Sequence, residues 1–328
     1  MNTLRGKSII ILVVFFFSFG PQSLIFAQGD YPSKPINMLI GYPPGGLSDL
    51  TARAVAIGAG KVLKQPVVVV NKPGASASLA MALLSNAKPD GYTLGNIPST
   101  ATVVMPFVEK VSYDPLKDFT PIINQFNYAA ALVVRADAPW KNFNEFAKYA
   151  KENQKTVKYG TYGAYGTTTI AMEALGKKLD ILWDTVPFKA DAEAIVGLLG
   201  GHITAAASAS MYAPQVRAGQ LKILAMLSEK RSPEFPDIPT LKELGFDIVA
   251  EGFVGVGGPK GLPGPIVDKL ESAFTEALKD KGYLELIKKL ALVEDYKDNR
   301  EFMRFIRESY NLHQELIKSV GLDKLKGR

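Results

Sequence analysis

From residue 31 onward, short apolar runs alternate with stretches whose apolar residues recur at helical spacing. Residues 36–42 read as a strand, followed by Pro43-Pro44-Gly45-Gly46 and a helix with Leu50, Ala54 and Ile57 on one face. Residues 66–70 read as a second strand, apolar throughout, as expected of a parallel sheet covered on both faces. A helix over 78–87, a turn at Pro89-Asp90-Gly91 and a strand over 92–97 complete the unit. This βαβα order predicts an α/β sheet with right-handed crossovers.

A second set of units is expected after Phe119. Ile122-Ile123 and residues 130–134 are candidate strands, and Asn142 with Glu145 three residues on marks a helix start. A strand over 157–161 runs into a glycine-rich loop, Asp191 opens a helix through Leu199, and 221–227 is another strand. Pro263-Gly264-Pro265 starts a helix carrying Ile266, Leu270, Phe274 and Leu278, and the last helix runs from about 300 to 320. No fixed-period repeat is present. Two α/β units in one chain predict two lobes with a cleft between them, and ligands of such sheets sit at helix N-termini beyond the strand ends.

Composition narrows the picture. The chain has 328 residues, enough for two domains, and 47% of them are hydrophobic, enough for a core without staples. It has no cysteine, which excludes disulfides, thiol nucleophiles and thiolate metal sites. Arg5 and Lys7 precede an apolar run over 8–19 that is short for a membrane span, then a polar break, so residues 1–27 read as a secretory signal cut near Ala27. Removing them lowers the net charge from +6 to +4, a mild excess that points to no nucleic-acid partner.

Two loops can carry chemistry. Tyr42, Pro44, Gly45, Gly46, Ser48 and Asp49 lie where a strand meets a helix, and amides exposed there favour an anion, with Ser48 and Asp49 as helix caps. Thr161, Tyr162, Gly163, Ala164, Tyr165, Gly166, Thr167 and Thr168 form the second, offering hydroxyls, amides and flat aromatic walls. No lysine follows as in a phosphate loop, and the glycine spacing does not fit a dinucleotide site. Enzyme signatures are weak: there are two histidines, of which His202 sits near a turn and His313 falls in phase with apolar positions of the last helix. No nucleophile elbow or paired metal histidines occur. No cofactor or metal is expected.

In order along the chain, Tyr42-Pro43-Pro44-Gly45-Gly46-Leu47-Ser48-Asp49, Val70-Asn71-Lys72-Pro73-Gly74-Ala75, Lys88-Pro89-Asp90-Gly91-Tyr92, Tyr113-Asp114-Pro115-Leu116, Leu198-Leu199-Gly200-Gly201 and Pro236-Asp237-Ile238-Pro239-Thr240 resemble the extracytoplasmic receptors of tripartite tricarboxylate transporters, the Bug proteins. The likeness covers nearly all of the chain after the leader. It implies an α/β, two-lobed periplasmic binding protein (a Venus flytrap, type II-like) that holds a small carboxylate through the two loops. It adds Pro73, Ser99, Lys189, Asp191 and Ser208 to the expected ligand-binding set. It implies a monomer serving membrane transporter subunits. A sensor presenting its closed form to a histidine kinase, and a small hydrolase, are the alternatives.

The expected division is a leader over 1–27, lobe 1 over 28–128 and 253–328, and lobe 2 over 129–252, hinged near 125–132 and 248–256. The chain departs from the family at Tyr165-Gly166, at Thr169, at Ala190-Asp191 and at Ser208, which stands where an aspartate is common. With Asp49 and Asp191 taken as helix caps and Ser208 neutral, a carboxylate without an amine is the expected ligand, dicarboxylic, tricarboxylic or aromatic.

Overall fold

The computed structural model describes residues 31–250 and 252–323. The leader expected over 1–27 and its cut near Ala27 lie outside the described residues.

The chain opens with β1 (Ile36–Ile40), α1 (Leu47–Leu63), β2 (Val67–Asn71), α2 (Ser78–Ser85) and β3 (Thr93–Pro98). A π-helical turn over Thr100–Val104 and the short α3 (Met105–Val108) lead to β4 (Phe119–Asn127). The chain then crosses to a second sheet through β5 (Ala131–Arg135), α4 (Phe143–Glu152), β6 (Lys158–Tyr162), α5 (Thr167–Leu179), β7 (Asp184–Phe188), α6 (Asp191–Leu199), β8 (Ala205–Ser208), α7 (Ala213–Arg217) and β9 (Leu221–Met226). It returns with β10 (Phe253–Pro259), α8 (Gly264–Ala277), α9 (Lys281–Lys289), β11 (Val293–Lys297) and α10 (Asn299–Val320).

The first sheet has the order β11-β4-β10-β3-β1-β2 and the second β7-β6-β8-β5-β9. In the first, β1 runs parallel to β2 and β3, while β10 inserts antiparallel between β3 and β4. The second is likewise mixed, with β6 parallel to β7 and β8, and β5 antiparallel to β8 and β9. This is the α/β, two-lobed architecture expected. Two expectations need correction. Residues 119–127 do not open the second unit; they join the first sheet, where their backbone pairs with β10 on one side and β11 on the other, both of which arrive after residue 250. The 66–70 run is not a doubly covered strand either. It lies at the sheet edge, and Val68 is 43% exposed.

Two neighbouring passages join the sheets. Tyr128 N donates to Gly252 O at 2.7 Å and Leu227 N to Ala130 O at 2.7 Å. Gly252 is required there, since a Cβ would lie 2.1 Å from the Tyr128 ring. Helix α10 spans both lobes. Its start is fixed by a capping box between Asp298 and Glu301. Phe302 and Ile306 enter a core of the first lobe, whereas Leu316 and Val320 pack against the core of the second.

Candidate functional site

Between β1 and α1 the backbone turns at Gly45, whose φ of +79° is the left-handed region that favours glycine. Gly46 has ordinary extended angles, φ −76° and ψ 169°. What Gly46 supplies is clearance: a Cβ there would stand 3.9 Å from the Cβ of Ala190 on the other lobe. No side chain caps α1, so the expected capping by Ser48 and Asp49 is not what forms. Asp49, buried at the third helical position, instead braces the loop. It accepts from Gly45 N at 2.9 Å and Asn71 Nδ2 at 2.8 Å, and pairs with Arg53 at 2.8 Å. Burial pushes its carboxyl up, but the Arg53, Gly45 and Asn71 bonds together bring it below its usual range.

On the second lobe, β6 ends at Tyr162 and α5 begins after Gly166. Gly163 turns the chain at φ +75°. Thr161 Oγ1 lies 3.1 Å from Thr168 Oγ1 and 2.9 Å from Thr169 Oγ1, so these hydroxyls are spent on holding the loop to the helix start. Tyr162 OH and Thr167 Oγ1 approach each other without completing a hydrogen bond, and both are buried.

Asp191 also departs from expectation. It is the first residue of α6, yet it does not cap that helix. Its Oδ2 accepts from Ser208 Oγ at 2.9 Å and from the backbone amides of Ala209, Ser210 and Met211 at 3.1, 3.1 and 3.0 Å. The residue is 6% exposed and its Oδ1 has no partner. Burial pushes its pKa up, and the four donors oppose that shift. Ser208 is therefore not a ligand group by default; its hydroxyl is committed to Asp191. With Asp191 not a cap, the ground for excluding an amine falls.

These pieces meet in a cavity between the lobes, lined by Tyr42, Gly46, Leu47, Ser48, Tyr128, Tyr162, Ala190, Asp191 and Ala209. At this separation it holds about 30 Å³, the space of about one water. No lysine, arginine or histidine lines it. Its donors are phenols and the start of α1. Burial pushes the Tyr42 hydroxyl up to about 12, against an opposing effect of Thr100. Burial also raises Tyr162 and Tyr128, each reinforced by its tyrosine neighbours. All three remain neutral hydrogen-bond donors at physiological pH.

An outer cleft of about 670 Å³ shares Tyr42 with this cavity. Pro73, Gly163, Ala164 and Lys189 line it, and Lys189 is exposed. Facing Gly163 is a run of three residues with positive φ, Ala75, Ser76 and Ala77 at 45°, 50° and 74°. Such angles cost energy in residues other than glycine, and they cluster where a wall must take one shape. A Cβ on Gly163 would come within 2.9 Å of Ser76 Oγ.

The remaining expected residues serve from behind. Pro44 and Gly45 form the exposed turn, Gly166 precedes α5, and Ser99 is buried beside Gly252 and Tyr128 at the hinge. Tyr165 packs toward the first lobe's core and does not line the cavity. Sequence reasoning missed Tyr128, Leu47, Ala190 and Ala209. Tyr128 carried a signal, an aromatic directly before Ala129-Ala130-Ala131 within the expected hinge. Among the described residues no group of three His, Asp or Glu is placed to hold a metal, and no helix is long and apolar enough to cross a membrane.

Comparisons with known proteins agree with this fold. The model of the tripartite tricarboxylate transporter family receptor matches residues 51–322. A Cupriavidus necator protein described only by its position in the gbd 5' region is 38% identical over 91% of this chain and 91% of its own length. A structure described as a periplasmic transporter is 31% identical, with a TM-score of 0.83, over 89% of this chain and 99% of its own. The periplasmic binding protein BugD superposes with a TM-score of 0.82 at 28% identity, over 89% of this chain and 99% of its own. A Rhodopseudomonas palustris protein with bound malate shares the fold at 24% identity, a TM-score of 0.81, and 88% and 100% coverage. The matched family is one of receptors, not enzymes, BugD is a periplasmic binding protein, and the chain belongs to the tripartite tricarboxylate transporter receptor family.

Proposed function

We propose that this chain works in the periplasm, after removal of its leader, as the receptor that captures a small carboxylate and delivers it to the membrane subunits of a tripartite transporter. In this reading lobe 1 comprises 28–128 and 253–328 and lobe 2 comprises 129–252. The observation that carries the ligand class is the cavity between them. Three neutral phenols, those of Tyr128 and Tyr162 buried and that of Tyr42 partly so, and the uncapped start of α1 converge on it, and no lining side chain is cationic. Amides at a helix start and hydroxyl donors suit an anion that must be released again, because each bond is modest and none is an ion pair.

The cavity volume supplies the motion. About 30 Å³ cannot admit an acid, so entry requires the lobes to part at the 128–130 and 227–252 passages and then close over the ligand. The closed form is what a membrane partner would read, and the ligand favours it by binding it more tightly. A thermal-shift screen of mono-, di- and tricarboxylates and aromatic acids, each beside its neutral amide, tests the ligand class. Acids should raise the melting temperature by mass action and their amides should not. Equal shifts from acid and amide, or none from any acid, would refute it.

A further inference from the structure

We propose that Asp191 is the residue that selects among acids, and that the preferred ligand carries a hydrogen-bond donor, a hydroxyl or an ammonium, beside its carboxylate. The inference rests on reading the cleft as a carboxylate site. Asp191 is buried, lines the inter-lobe cavity and splits its two oxygens between unlike tasks. Oδ2 takes four donors from residues 208–211 and so fixes both the carboxylate and the loop after β8. Oδ1 has no partner, and a carboxylate oxygen buried without a donor is costly. With Oδ2 turned to the loop, Oδ1 is the atom left for the cavity.

Its surroundings do not satisfy it from within. Ser210 Oγ, Tyr162 OH and Thr167 Oγ1 are also buried without partners. Asp191 lines the same cavity as Tyr128 and Tyr162, and its charge adds to the upward shift of both phenols. Ala190 and Ala209, its neighbours on the lining, bring no polar side chain. A ligand donor set against Oδ1 would complete the shell. A second carboxylate in the same place would meet like charge instead. The site is thus divided: donors of Tyr42, Tyr128, Tyr162 and the α1 start for the ligand's carboxylate, and one acceptor for its donor.

Calorimetry on the mature chain tests this with three matched sets: propionate, lactate and alanine; succinate, malate and aspartate; 3-phenylpropionate, 3-phenyllactate and phenylalanine. In the set that binds, the hydroxy or amino acid should bind at least about tenfold tighter than the unsubstituted acid, as a hydrogen bond to a buried charge would give. The hydroxy and amino members tell which donor is read. Asp191→Asn keeps an oxygen for the 208–211 loop and turns a donor toward the cavity. That variant should compress the preference to within about threefold. An unsubstituted acid that binds the wild-type chain as tightly as its partners overturns the role of Asp191 alone, whether or not the variant folds. A folded variant with the preference intact does the same. If no member of the three sets binds, the carboxylate reading fails and this proposal with it.

Discussion

Gly46 offers a clean perturbation of lobe closure. Its backbone angles suit any residue, and locally a Cβ there meets Pro43 O at 3.4 Å, an ordinary contact. The constraint is the opposite wall. An alanine Cβ would sit 3.9 Å from the Ala190 Cβ, an ordinary contact. A valine adds methyl groups about 1.5 Å further out, and carbons rest comfortably at about 3.5–4.0 Å. Overpacking of this kind costs about 1–3 kcal/mol. The open form escapes that cost, and an acid-bound form holds the walls somewhat further apart than here, so the part of the cost that survives closure appears in ligand affinity, as a loss of up to about 150-fold. Titration calorimetry with the tightest acid of the screen should therefore rank wild type, Gly46→Ala and Gly46→Val, with the alanine variant within about threefold of wild type. Ala190→Gly should recover part of the valine loss, because it removes the atom being struck; neighbouring residues couple by about 0.5–3 kcal/mol in such cycles. An undiminished affinity in Gly46→Val, or an equal loss in Gly46→Ala, would refute the proposed contact between closing lobes.

Three further outcomes follow from the same geometry. Gly45→Ala meets open space but a φ of +79°, so it should cost about 1 kcal/mol, a fall of about 2–4 °C in melting temperature, with no steric effect on the cleft. Asp49 is held below its unfolded value of about 3.9, so its contribution is present above about pH 4 and is lost as pH falls through the folded value; Asp49→Asn should flatten that part of an acid melting series. Tyr162→Phe removes a buried hydroxyl that has no partner, so the ligand-free chain should melt no lower than wild type while acid affinity falls several-fold; a lower melting point with unchanged affinity would make the hydroxyl structural.

Much of the fold was legible because its signals are local. Apolar runs, the Asn142–Glu145 start and the Pro263-Gly264-Pro265 entry each act within a few residues, and each forms near its expected place. What stayed hidden depends on distant partners. Nothing near residues 66–70 says that the strand finds a neighbour on one side only, and nothing near 119–127 says that its partners arrive after residue 250. The site divides the same way. Tyr42, Gly46, Ser48 and Tyr162 were found from loop chemistry and Asp191 through the family likeness, and all five line the cavity. Asp191 was assigned the wrong task because a carboxylate at a helix start reads as a cap. Its real partners lie 17 to 20 residues on, and only the packing of α6 beside β8 brings them together. Tyr128 reaches the cavity from the hinge, where the sequence signals a connection but not a wall.

The central claim is that an acid closes two lobes over a cavity of phenols and amides. Small-angle X-ray scattering of the mature chain, alone, with a saturating acid and with that acid's neutral amide, tests it most directly. The account predicts a smaller radius of gyration with the acid and an unchanged one with the amide. Identical profiles in all three samples at demonstrated saturation would contradict it.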